Sequence, residues 1–242
     1  RFVAGVCGGF SLGIAFAVLA RMNNPDRAFG SLLFVQFSVG ALVIYVLPSI
    51  EDAIGAYAVF YVMSGLGALS LLFVTFLADM PLKKYAGRSS GSLPRAYSHA
   101  SKLLLATLCY QVAASAIWAY VGLIGLAAGI EAESVTVYIA VTGLLGLFGA
   151  MLPVMTGKRY GRLGWLLAGV ALSILAAVLL SLSESDVLYV LAMAVLFFSW
   201  PAVQSYLLAV IAELDGSGRL ATIAAVISLL GLATGPLLAA GL

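Results

Sequence analysis

Gln111, Ser115 and Trp118 stand at i, i+4 and i+7, one face of a helix, with Tyr110 adjacent. Phe197, Trp200 and Gln204 stand at i, i+3 and i+7, a second such face. Each stripe joins an aromatic surface to a carboxamide that both donates and accepts. That combination suits stacking on, and orienting, a partly apolar organic molecule. Trp and Tyr also belt membrane interfaces, and a buried Gln also bonds a neighbouring helix, so cavity lining and core packing both stay open. Gln36, alone in its apolar run, is open to the same two readings. His99, the single histidine, sits beside Ser98 and Ser101 and reads as a solvated or headgroup contact. One His without a carboxylate cluster makes neither a metal site nor a proton relay.

The elements that must position these residues follow from composition. The chain has 242 residues, 63% hydrophobic and 9% charged, where a soluble domain carries about 25% charged residues. Twelve Lys and Arg and ten Asp and Glu cannot clothe a water-soluble surface of this size, and a mean hydropathy of +1.13 agrees. A bilayer crossing takes about 20 apolar residues. Eight charge-free runs meet that length, at roughly 2 to 20, 28 to 48, 53 to 78, 103 to 130, 134 to 156, 163 to 183, 187 to 212 and 220 to 241. Barrel strands alternate apolar and polar residues, whereas 166 to 182 is apolar on every face. The expected fold is therefore an all-α membrane protein, a polytopic bundle of eight transmembrane helices.

The loops orient it. Arg21, Arg27, Lys83, Lys84, Arg88, Arg95, Lys102, Lys158, Arg159, Arg162 and Arg219 all fall in alternate loops, whereas Glu51, Asp52, Glu131, Glu133, Glu184 and Asp186 fall in the others. The positive-inside rule places the basic loops in the cytoplasm and makes the chain a multi-pass protein of the bacterial inner membrane. A net charge of +2 parcelled into short loops sets nucleic acid aside as a partner and leaves membrane lipid. Cys7 and Cys109, inside apolar runs, read as small buried hydrophobes. The first run has no basic n-region and no clear cleavage site, so it reads as a span rather than a signal peptide.

Organisation shows in a repeat. Residues 20 to 27 (ARMNNPDR) and 212 to 219 (AELDGSGR) share A-x-(M/L)-(N/D)-(N/G)-x-x-R at an offset of 192, and each joins an inward to an outward helix. Residues 2 to 48 and 194 to 240 are thus expected to superpose as helix pairs. Such a parallel repeat implies two helical halves about an axis along the membrane normal. The halves are 1–79 with three spans and 103–242 with five, joined by a basic linker over 80–102.

This arrangement resembles the major facilitator superfamily of secondary transporters. Arg1-Phe2-Val3-Ala4-Gly5-Val6-Cys7-Gly8-Gly9 is similar to that family's helix-4 pattern of an Arg followed by spaced glycines. Gly157-Lys158-Arg159-Tyr160-Gly161-Arg162 resembles its D-R-x-G-R loop, with Lys158 where the family has Asp. Gly231 with Gly235-Pro236 resembles its G-x-x-x-G-P motif. The resemblance implies a 6+6 fold in which the first run is helix 4 of twelve and the last is helix 11. It further implies alternating access by a monomer and a small-molecule solute, drug-like, sugar-like or an aromatic metabolite, moved outward. The stripes on runs four and seven would line the cavity, and Arg1 would face it as a fixed charge.

No Asp, Glu, Lys, Arg or His lies in the middle of any run, so acid, base and metal chemistry at depth is disfavoured. No cofactor and no enzymatic activity is expected. Proton coupling would need a switchable group near a run's end or outside this stretch. The rival reading is a non-transporting polytopic protein, a receptor or an assembly scaffold.

Overall fold

In hydrocarbon every backbone N–H and C=O must be satisfied within the protein, and a helix does this with its own ladder. The computed structural model describes residues 2–55, 57–76, 93–157, 161–215 and 217–241, with residues 2–4, 44, 48 and 93–98 described by backbone alone. Among the described residues there is no strand. The helices are α1 (Phe2–Ala20), α2 (Pro25–Ile54), α3 (Ala58–Val74), α4 (Leu93–Ala127), α5 (Ala132–Gly143), α6 (Leu145–Thr156), α7 (Arg162–Ser181), α8 (Asp186–Leu214) and α9 (Arg219–Ala240).

Among the described residues six spans are long and apolar enough to cross a membrane: Pro25–Leu47, His99–Ala127, Ala132–Thr156, Arg162–Ser181, Asp186–Leu214 and Arg219–Ala240. Gly5–Ala20 and Ala58–Val74 are apolar but shorter. Two boundaries differ from the sequence reading. Glu51 and Asp52 belong to the last turns of α2 rather than to a loop, because that helix runs on to Gly55, whose φ of 83° ends it. The linker expected over 80–102 is helical from Leu93, so His99 and Lys102 lie on the first turns of α4. Cys7 and Cys109 are exposed on the bundle surface rather than buried, which in an apolar environment costs a thiol little.

Loop ends gather as the alternating directions require. Arg162 at the start of α7 bonds Asp26 at the start of α2 and Glu213 near the end of α8, so those three helix ends share one face. At the opposite face Tyr138 donates to Asp186 Oδ2 at 2.8 Å, and Tyr189 donates to the Val121 carbonyl at 3.0 Å. Among the described residues, the basic loops and the acidic loops thus lie at opposite ends of the bundle.

α8 is the central helix, with α7, α6 and α2 packed against it. Its Leu208, Ala209, Ile211 and Ala212 join Phe16, Phe29 and Ala221 in one apolar cluster near the basic-loop end. Its Tyr189, Ala192, Met193, Leu196 and Phe197 join Val121, Val135 and Leu180 in another near the acidic-loop end. Residues 198 to 207 of α8 lie between the two. Glycine brings the surrounding helices close. A Cβ on Gly231 of α9 would lie 2.6 Å from Gln111 Cβ and 3.2 Å from the Leu108 carbonyl of α4, so only glycine lets these backbones approach. Gly146 of α6 makes room for a side chain instead, since a Cβ there would meet the Phe37 ring at 2.6 Å.

The two loops that match as a repeat are held differently. Asn24 caps α2 without a side-chain hydrogen bond, and Pro25 supplies the first turn. In the second loop Asp215 accepts from the Ser217 N–H at 2.9 Å, the Ser217 hydroxyl at 2.8 Å and the Leu220 N–H at 3.0 Å. Burial pushes the Asp215 carboxyl up, but these bonds outweigh it and hold the group below its usual value. A depressed native pKa contributes stability that is complete at neutral pH and lost as pH falls through it. Asp215→Ala should therefore lower stability by about 1 kcal/mol at pH 7. The gap in unfolding midpoint between wild type and variant should narrow as pH falls below the usual carboxylate range; an unchanged gap would assign the effect to packing alone.

Candidate functional site

The stretch of α8 between the two apolar clusters faces the buried polar residues of α4. Gln111 is 1% exposed and Ser115 is 2% exposed. Trp200 donates its indole N–H to Gln111 Oε1 at 3.1 Å, which joins the two stripes directly. Trp118 sets its ring edge-on to Phe197, centroids 5.3 Å apart, and lies tilted to Trp200 at 6.5 Å. Phe37 of α2 closes the other side of Trp200 at 6.4 Å and 88°. The result is an aromatic cluster of four rings from α2, α4 and α8, with one carboxamide against it. Phe197 is buried, whereas Trp118 stays 39% exposed and offers part of its ring to a neighbour.

Ser115 is occupied structurally. Its hydroxyl reaches the Gly231 carbonyl of α9 at 3.1 Å and the Val112 carbonyl at 3.2 Å, and it helps hold α9 on α4. Tyr110 points elsewhere: its hydroxyl meets Ser173 Oγ of α7 at 3.0 Å, and Ser173 meets Ser199 Oγ of α8 at 2.9 Å. Gln204 is half-buried and makes no hydrogen bond among the described residues. Gln36 is exposed on α2, next to Phe37 but not among the contacts of the cluster. Arg1 lies outside the described residues. Four of the sequence candidates, Gln111, Trp118, Phe197 and Trp200, therefore come together; Ser115 bonds α9 instead, and Tyr110, Gln204 and Gln36 do not join them.

Two functional candidates lie outside both stripes. Asp26 is buried, and Arg162 grips it twice, Nε to Oδ1 at 2.6 Å and Nη2 to Oδ2 at 2.5 Å. The third contact of Arg162 is from Nη1 to Glu213. This clasp ties α2 to α7 and α8 at the basic-loop face. A signal for it exists in sequence. A cation at a helix start and an anion at a helix end both oppose the helix dipole, so Arg162 and Glu213 each need a partner of opposite charge.

Among the described residues no group of three His, Cys, Asp or Glu could hold a metal ion. A crevice of about 640 Å³ opens between α1 and α9, lined by Gly9, Gly13, Phe10, Leu229 and Leu230 with Arg21 at one end. It is separate from the aromatic cluster.

Apolar spans and buried neutral polar residues define the class: an all-helical, multi-pass integral membrane protein. No family model matches the chain, and no curated protein matches it.

Proposed function

We propose that this chain is part of a secondary transporter that moves a small organic solute by alternating access, with the aromatic cluster of α4 and α8 as its binding surface. The single observation that carries this reading is the buried clasp. It joins α2, from the first helical group, to α7 and α8, from the second, at one face, while the aromatic surface lies further along between α2, α4 and α8. A bond across two groups at one end is what a gate requires: closed there, the site communicates with the opposite end, and released, with the near end. Resemblance to the major facilitator superfamily supports the same reading, with the membrane taken as a bacterial inner membrane.

Accessibility tests it. In a variant with Cys7 and Cys109 replaced by Ala, Trp118→Cys should react with a membrane-impermeant thiol reagent from the acidic-loop side. Adding Asp26→Asn and Arg162→Gln should shift that reactivity at least about tenfold toward the basic-loop side. Such a shift corresponds to ~1.4 kcal/mol of bias between two states. Reactivity that never changes side would overturn alternating access and favour a receptor or assembly scaffold.

A further inference from the structure

We infer that the solute is a neutral, planar aromatic molecule that accepts a hydrogen bond from the Gln111 amide. This rests on reading the aromatic cluster as a solute site. An indole N–H donates and cannot accept, so the contact from Trp200 Nε1 at 3.1 Å fixes which end of the carboxamide faces it. With the amide turned over, two N–H groups would oppose each other. The Gln111 NH2 group is therefore directed away from Trp200, and its nitrogen is buried without a hydrogen-bond partner. Buried amide donors are almost always satisfied, and an orphan one is a standing demand for an acceptor. Ser115, one turn along the same face, donates to the Gly231 and Val112 carbonyls and does not accept from this amide.

Ring geometry gives the rest of the molecule its shape. Gln111 and Trp118 share a helix face and both touch Trp200, and Trp118 stays 39% exposed. Gln111 and Trp118 are seven residues apart, about 10 Å along the helix, so a flat ring system laid on the free part of Trp118 must extend over that length to reach the amide. Offset or edge contacts with Trp118 and Phe37 reward aromatic over aliphatic solutes. Charge is excluded by the same surroundings. Gln111, Trp118, Phe37, Phe197 and Trp200 carry no ionisable group, so an ion here would lose its hydration with no counter-charge to replace it. Aryl ketones, quinones and lactones fit; amines and carboxylates do not.

A matched pair of probes isolates the acceptor. 9-Fluorenone and fluorene have the same tricyclic plane and differ in one carbonyl oxygen. Saturable quenching of tryptophan fluorescence in the purified chain, carrying Trp165→Phe to lower the background, reports binding at Trp118 and Trp200. Fluorenone should bind about tenfold more tightly than fluorene, and Gln111→Leu should abolish that preference, leaving the two probes equal whatever its effect on the ring contacts they share. Equal binding of the two probes by the wild-type chain, binding of neither, or a preference that survives Gln111→Leu would overturn the inference. The wild-type comparison stands even if a variant does not fold. Loss of the carbonyl preference leaves the side-switching of Trp118→Cys intact. Loss of side-switching with the preference retained removes transport but keeps the binding site.

Discussion

Arg162→Met should destabilise the protein by ~3–5 kcal/mol, the range for breaking one partner out of a buried ion pair. The expected drop in unfolding midpoint is roughly 10 °C for a chain of this size. The cost arises on the carboxylate left behind. Asp26 is 4% exposed in its side chain and Arg162 10%, so removal of the guanidinium strands an ionised carboxylate away from water. Glu213, with its side chain 40% exposed, stays solvated, and Glu213→Gln should cost only ~0–1 kcal/mol. Asp26→Asn combined with Arg162→Met should recover more than half of the loss, because no buried charge remains unpaired. Thermal unfolding of the four proteins in one detergent decides it. If Arg162→Met costs no more than Glu213→Gln, the clasp is a surface ion pair and has no role as a gate.

Trp118→Ala and Trp200→Ala should part company in the same assay. Trp118 stacks on Phe197 and Trp200, and its loss should cost ~1–2 kcal/mol from two aromatic pairs. Its effect on saturable fluorenone binding, detected by the remaining Trp200, should exceed tenfold, since the exposed ring is the surface on which the probe lies. Trp200 holds Phe37, Trp118 and the Gln111 oxygen at once. Its truncation should cost ~3–5 kcal/mol through the cavity and the stranded carbonyl. Binding and stability should therefore separate at Trp118 and fall together at Trp200. A Trp118→Ala protein that unfolds as early as Trp200→Ala would make both residues core, with no free binding face.

How much of this was legible depends on range. Gln111, Ser115 and Trp118 could be grouped because 3.6 residues per turn puts i, i+4 and i+7 on one face whatever the helix packs against. The same periodicity separates Tyr110: a neighbour in sequence sits about 100° round the helix, and here that turn carries it to Ser173 on α7. Phe37 was invisible, since an aromatic residue in a uniformly apolar span has no contrast to mark its face. Asp26 and Arg162 are 136 positions apart, so their pairing belongs to the tertiary arrangement, although the dipole penalty at Arg162 signals that a partner must exist. Of the eight apolar runs, six coincide with spans long enough to cross a membrane among the described residues, and the end of α2 was misplaced. Hydropathy marked Glu51 and Asp52 as loop, whereas the backbone stops only where Gly55 can take a positive φ.

The hydroxyls of Tyr110, Ser173 and Ser199 do something that the greasy surfaces around them cannot. Lipid-facing and helix-facing methyl groups are equally content after a slide along the helix axis, so apolar contact alone sets no vernier between two spans. This ladder does. Ser173 is also 3.0 Å from the Gly169 carbonyl and Ser199 3.1 Å from the Leu196 carbonyl, so each rung is anchored to its own helix. A slip of α7 by one turn, about 5.4 Å, would break every rung together. By contrast, among the described residues α1 meets α9 with one side-chain hydrogen bond, Thr222 to the Gly13 carbonyl at 3.4 Å, beside apolar packing of Phe16 and Ala20 on Ala221 and Ala224. One flank of the bundle is keyed to a single register by hydroxyls, and the other is held by the fit of rings and methyl groups.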